Sequence, residues 1–229
     1  MKEKKKPGVL TNLIFNIVIP VLIMTKFSKP EYLGPVYGLG IAILFPLSFG
    51  LWEFIILKNV NFISILGFIS VLLTGTLGLF QFNPFWIAVK EAAIPLVIGL
   101  LIIISEIVKK PVIKKFLIND SIMEVDLINA KLIEKNMNEK FDSLLSRCSY
   151  FVAGSFFLSS IVNFIFARII VKSSPGSVEY TQEIGKMTAL HIPVVAIPST
   201  IIMMIILFYI INKLKKLTNL EFEQIFKNQ

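Results

Sequence analysis

Six apolar runs separated by short polar breaks organise the chain: residues 8–25, 33–57, 61–80, 86–106, 150–171 and 188–211. A bilayer crossing takes ~20 apolar residues, so each run predicts one membrane-spanning helix. The first follows the basic opening MKEKKK in the manner of a signal peptide, but no small-x-small cleavage site comes after it, which predicts a retained first helix. The turn Gln81–Pro84 (QFNP) predicts that the third and fourth helices form an antiparallel hairpin. The fourth and fifth runs are joined by a charged connector. It begins with Lys109, Lys110, Lys114 and Lys115 and continues with Val125, Ile128 and Leu132 on one helical face and Phe141, Leu144 and Leu145 on another. Helices lying at the membrane surface and a solvated connector both fit that pattern. Between the fifth and sixth runs, the segment from Lys172 to Lys186 with its Ser174-Pro175-Gly176 signal reads as a short polar loop. The expected organisation is four spans (1–108), a cytoplasmic amphipathic connector (109–148), two further spans (149–211) and a basic tail (212–229). The fold class is an all-α polytopic membrane protein.

Composition supports this reading. Hydrophobic residues make up 55% and charged residues 17%, against roughly 45–50% and ~25% in soluble domains. The net charge of +8 invites a nucleic-acid reading, but the lysines lie in loops and tails and not on one folded face. They read instead as topology signals. Basic residues concentrate at the N-terminus (Lys2, Lys4, Lys5, Lys6), in the connector and in the tail, whereas the opposite loops hold Lys26, Lys29, Lys172 and Lys186. The positive-inside rule then predicts both termini on the cytoplasmic side. A lone cysteine, Cys148, permits no internal disulfide, and no metal or cofactor motif is present.

Against this apolar background the ionisable residues inside the runs stand out as candidates for a ligand- or ion-binding site. Lys90 and Glu91 sit side by side in the fourth run, and Pro95 withholds the N–H that the Glu91 carbonyl would accept. Asn163 and Arg168 lie in the fifth run; His191 and Pro193 open the sixth. A rise of ~1.5 Å per residue from the inner end places Asn163, Glu91, Arg168 and His191 at roughly 20, 25, 28 and 30 Å, all in the outer half of the bilayer. Asn12, Asn16 and Pro20 share one face of the first helix, but Asn16 comes out at only about 10 Å. Lys90 is long enough to snorkel; Glu91 is too short and must be paired, hydrated or protonated. The small residues Ser70, Thr74 and Gly78, and the pair Gly34 and Gly38, read as helix-packing stripes. An intramembrane serine protease is not expected, because Ser155 at about 9 Å is far from His191 on the same scale.

The blocks TNLIFNIVIPVLI (11–23), NFISILGFISVLLTGTLGLFQFNP (61–84), AVKEAAIPLVIGL (88–100) and GKMTALHIPVVAIPS (185–199) resemble a bacterial family of small multi-pass inner-membrane proteins described as septation protein A-like. That resemblance implies residence in the bacterial inner membrane and a link to envelope synthesis or cell division; the long connector departs from the compact septation proteins. Two functions are therefore expected as alternatives. One is a permease-like or ligand-binding protein in which Glu91, Arg168, Lys90, His191 and Asn163 take a small polar or anionic solute or a proton. The other is a membrane scaffold whose partners, besides lipids, are envelope or division proteins. In neither is nucleic acid a partner.

Overall fold

A computed structural model describes residues 9–57, 62–117 and 122–227. Every regular element among them is helical; the one extended feature is an isolated antiparallel bridge between Met123 and Phe226. Five helical stretches are long and apolar enough to cross a membrane: Leu10–Phe27, Gly34–Trp52, Pro84–Ile107, Asn138–Ile170 and Val178–Thr218. A further apolar helix, α4 (Phe62–Leu79), corresponds to the third run. Large apolar side chains such as Leu101, Ile104, Ile161, Ile165, Ile205 and Phe208 are exposed, as lipid-facing surfaces require. The protein is an all-α polytopic membrane protein.

Several elements differ from the sequence expectation. The first run is not a uniform α-helix. It alternates α1 (Val9–Leu13), a π-helical turn (Ile14–Val18), α2 (Ile19–Leu22) and a second π turn (Ile23–Phe27). Pro20 has no N–H, and just before it the Ile19 N–H reaches back five residues to the Ile14 carbonyl. The fifth run is the end of a 33-residue helix, α8 (Asn138–Ile170), which absorbs Phe141, Leu144 and Leu145 of the connector. The expected polar loop is mostly the 14-residue helix α9 (Val178–His191), capped by the Ser177 hydroxyl, which accepts the Tyr180 N–H at 3.1 Å. A third π turn (Ile192–Ala196) containing Pro193 follows, then α10 (Ile197–Thr218). His191 is thus at the end of a helix, not at the mouth of one.

The chain divides into two compact units. The first comprises Met1–Ile94 and Ser160–Ala196. Within it α3 (Gly34–Leu57), α4, the start of α5 (Pro84–Ile107), the end of α8 and α9 enclose a core of Met24, Leu39, Ile43, Ile87, Tyr180 and Ile184, among others. One turn of α9 is tied to three segments. The Tyr180 hydroxyl donates to the Phe82 carbonyl (3.1 Å), Thr181 to that of Pro35 (3.2 Å) and Gln182 to that of Thr25 (3.3 Å). Glu183 accepts the N–H groups of Lys172 and Ser173, both at 2.9 Å. Gly185 lets α9 approach the first helix so closely that a Cβ there would lie 2.8 Å from that of Met24. The QFNP turn is as expected: Gln81 adopts φ 56°, and the Asn83 side chain accepts the Phe85 N–H at 2.9 Å to cap α5 ahead of Pro84.

The second unit comprises Pro95–Ser159 and Ile197–Gln229. The apolar faces seen in the connector are covered by protein. Ile128 and Leu132 of α7 (Val125–Glu134) and Phe141, Leu145 and Cys148 of α8 pack with Ile210 and Leu214 of α10. The tail is not a free basic segment. It folds back through α11 (Phe222–Ile225), opened by a Glu221–Gln224 capping box, and buries Leu220 and Ile225 in the same core. Backbone bonds from Glu124 to Ile225 and from Lys227 to Ile122, each 2.9 Å, fix it there. α6 (Val112–Leu117) is held near α8 by Lys114 and Asp142 at 2.6 Å.

Candidate functional site: a buried ion pair beside a cavity

Glu91 and Lys90 meet inside the first unit. The Lys90 ammonium is 2.6 Å from Glu91 Oε1 and donates to Thr74 Oγ1 at 2.8 Å; Thr74 in turn donates to the Ser70 carbonyl at 3.0 Å. Adjacent residues on a helix point in different directions, so the contact depends on the reach of the lysine stem. The Lys90 side chain is 6% exposed and that of Glu91 17%. Lys90 therefore does not snorkel; it is turned inward, and a hydroxyl that reads from sequence as packing is its acceptor.

The pair lines a cavity of about 240 Å³. Asn16, Pro20 and Met24 of the first helix form one wall, Ser70 and Thr74 of α4 another, and Thr188 and His191 of α9 a third. At ~30 Å³ per water the space holds about eight waters or a solute of a few heavy atoms. His191 Nε2 lies 3.2 Å from Oδ1 of Asn163, which is 5% exposed and places the ring beside the cavity. Asn16 sits within one π turn and His191 immediately before another. Such turns interrupt the regular backbone bonding and recur at functional sites. Close by, the Ser160 hydroxyl donates to the Ala92 carbonyl at 2.8 Å.

Four of the five candidate residues are brought together: Lys90, Glu91 and His191 line the cavity, and Asn163 holds His191. Arg168 is not among them. It is exposed in the last turn of α8, does not line the cavity, and lies where the carbonyl end of a helix favours a cation. Of the kink prolines, Pro20 is in the wall, Pro193 is exposed within its π turn, and Pro95 falls in the part of α5 that belongs to the second unit. Asn16 joins the site although a regular rise of ~1.5 Å per residue puts it at only about 10 Å, because two π turns interrupt the first helix. Thr74, Ser70 and Thr188 were missed; their signal was a hydroxyl recurring at helical spacing in an apolar run. Ser155 donates to its own helix at the Val152 carbonyl, 2.7 Å away.

Among the described residues, no three His, Cys, Asp or Glu side chains converge as metal ligands. The charges on the cavity wall, those of Lys90 and Glu91, sum to zero when His191 is neutral. Comparison with protein-family models, with curated proteins and with solved structures gives no match.

Proposed function

We propose that this is a permease-like protein of the bacterial inner membrane, with both termini cytoplasmic, whose cavity takes a small polar solute together with a proton. The observation that carries the reading is the buried Lys90–Glu91 pair on the wall of a cavity built from several helices, two of them interrupted by π turns beside it. A charge pair that only locked helices together needs no cavity. One facing a cavity responds to its contents. A proton taken up by Glu91 cancels the carboxylate and leaves the Lys90 ammonium, still bonded to Thr74, uncompensated in a low-dielectric site. That ammonium then attracts the negative end of a solute, and loss of the proton restores the pair and expels it. His191, beside the pair, is placed to exchange the proton.

The test is Glu91→Gln in proteoliposomes with a pH-sensitive dye inside. Glutamine keeps an oxygen for the ammonium but cannot be ionised. The expected outcome is a protein that still inserts and elutes as the folded species and has lost its proton or solute flux. Parallel loss of folding would return the site to a structural lock and favour the scaffold reading, in which envelope or division proteins are the partners.

A further inference from the structure

The second unit carries a separate groove of about 530 Å³ between α8 and α10. Lys140, Ser143 and Arg147 repeat at three and four residues along one face of α8, and Tyr209, Lys213 and Lys216 at four and three along α10. The opposite faces of the two helices are locked in the core through Phe141, Leu145, Ile210 and Leu214, so the two polar stripes are held facing one channel. Four cations meet there against a single carboxylate, Glu139. Three other lysines of the unit are paired: Lys114 with Asp142, Lys131 with Glu134, Lys215 with Glu221. Among the described residues none of the four groove cations has such a partner. The nearest aid is the Tyr209 ring, 5.7 Å from the Lys213 ammonium.

Like charges held in one groove repel one another, and the repulsion is relieved by an anion. Arg147 supplies a planar fork for two phosphate oxygens, the lysines point charges, and Ser143 and Tyr209 hydroxyls. The surroundings say what carries the phosphate. Directly beyond the groove both helices present apolar surface: Tyr150 and Phe151 on α8, 50% and 62% exposed, and Ile205 and Phe208 on α10, 63% and 54% exposed. A charged groove opening onto an apolar belt matches an amphiphile. We propose that this groove binds the phosphate headgroup of an anionic phospholipid, whose acyl chains lie along the exposed faces of α8 and α10.

The test uses the full chain in nanodiscs of phosphatidylcholine doped with phosphatidylglycerol, with bound lipid counted by native mass spectrometry after gentle extraction. Phosphatidylglycerol is expected to be retained over phosphatidylcholine, and retention to fall with salt. The double change Lys213→Gln with Lys216→Gln is expected to weaken it about tenfold or more. The arginine pair Lys213→Arg with Lys216→Arg is expected to preserve it, as is the control Lys131→Gln. Equal retention of both lipids, or an equal loss in the control, overturns the assignment. So does inorganic phosphate binding as tightly as the lipid, which would make the groove a site for a free anion.

Discussion

At the scale of single residues, Lys90 is the most constrained side chain. Its ammonium is buried with two partners, and each partner depends on it. Removing one member of a buried ion pair typically costs about 3–5 kcal/mol, while replacing both can be nearly neutral. Lys90→Met should therefore lower the thermal unfolding midpoint of the purified protein more than Lys90→Met combined with Glu91→Gln; the reverse order would mean that the pair contributes little. Lys90, Glu91, His191 and Asn163 were legible in the sequence because groups that are costly in lipid stand out in apolar runs. Arg168 stood out for the same reason but does not line the cavity. Two residues from the end of α8, its long side chain reaches the surface, and composition alone does not reveal where a helix ends.

At the scale of elements, α9 shows how charge disguises a helix. Glu179, Glu183 and Lys186 make the segment read as a loop, yet Tyr180, Thr181, Ile184 and Met187 form its buried face. Gly185 is the tightest point of this element. Gly185→Val would drive a branched side chain into Met24 and Thr25 and should destabilise the protein by about 1–3 kcal/mol, measured by thermal unfolding in detergent. Because the same packing sets the position of Thr188 and His191, the proposed permease function predicts that flux falls as well. The π turns were not legible: prolines announced a disturbance, but whether a helix kinks or widens depends on what packs beside it.

At the scale of the molecule, periodicity exposed the apolar stripes of the connector but not what would cover them. Lysines hid the role of the tail, whose apolar residues Leu220, Phe222, Ile225 and Phe226 alternate with charge. Ile225 is fully buried, so Ile225→Ala should cost about 2–5 kcal/mol of local stability. Cys148, the sole cysteine, is buried in the same core and reports on it directly: maleimide should label it markedly faster in the Ile225→Ala protein than in the parent. An unchanged rate would mean that the tail is not needed to close this core.

The first helix has one more consequence, in its winding. Pro20, Met24 and Ser28 are buried along it at a period of four, and the half-buried Asn16 and Asn12 continue the same spacing. An α-helix advances about 100° per residue, so a four-residue repeat drifts by about 40° per step and would spread these five positions over about 160°. Two widened turns slow the winding and straighten the stripe, so that Asn16, Pro20 and Met24 follow one another along the cavity wall. Deleting one residue from the turn Ile14–Val18 should restore the ordinary pitch and swing Asn12 by about 100° relative to Pro20. A cysteine at position 12, in a protein with Cys148 replaced by serine, would report that rotation as a change in accessibility to aqueous thiol reagents.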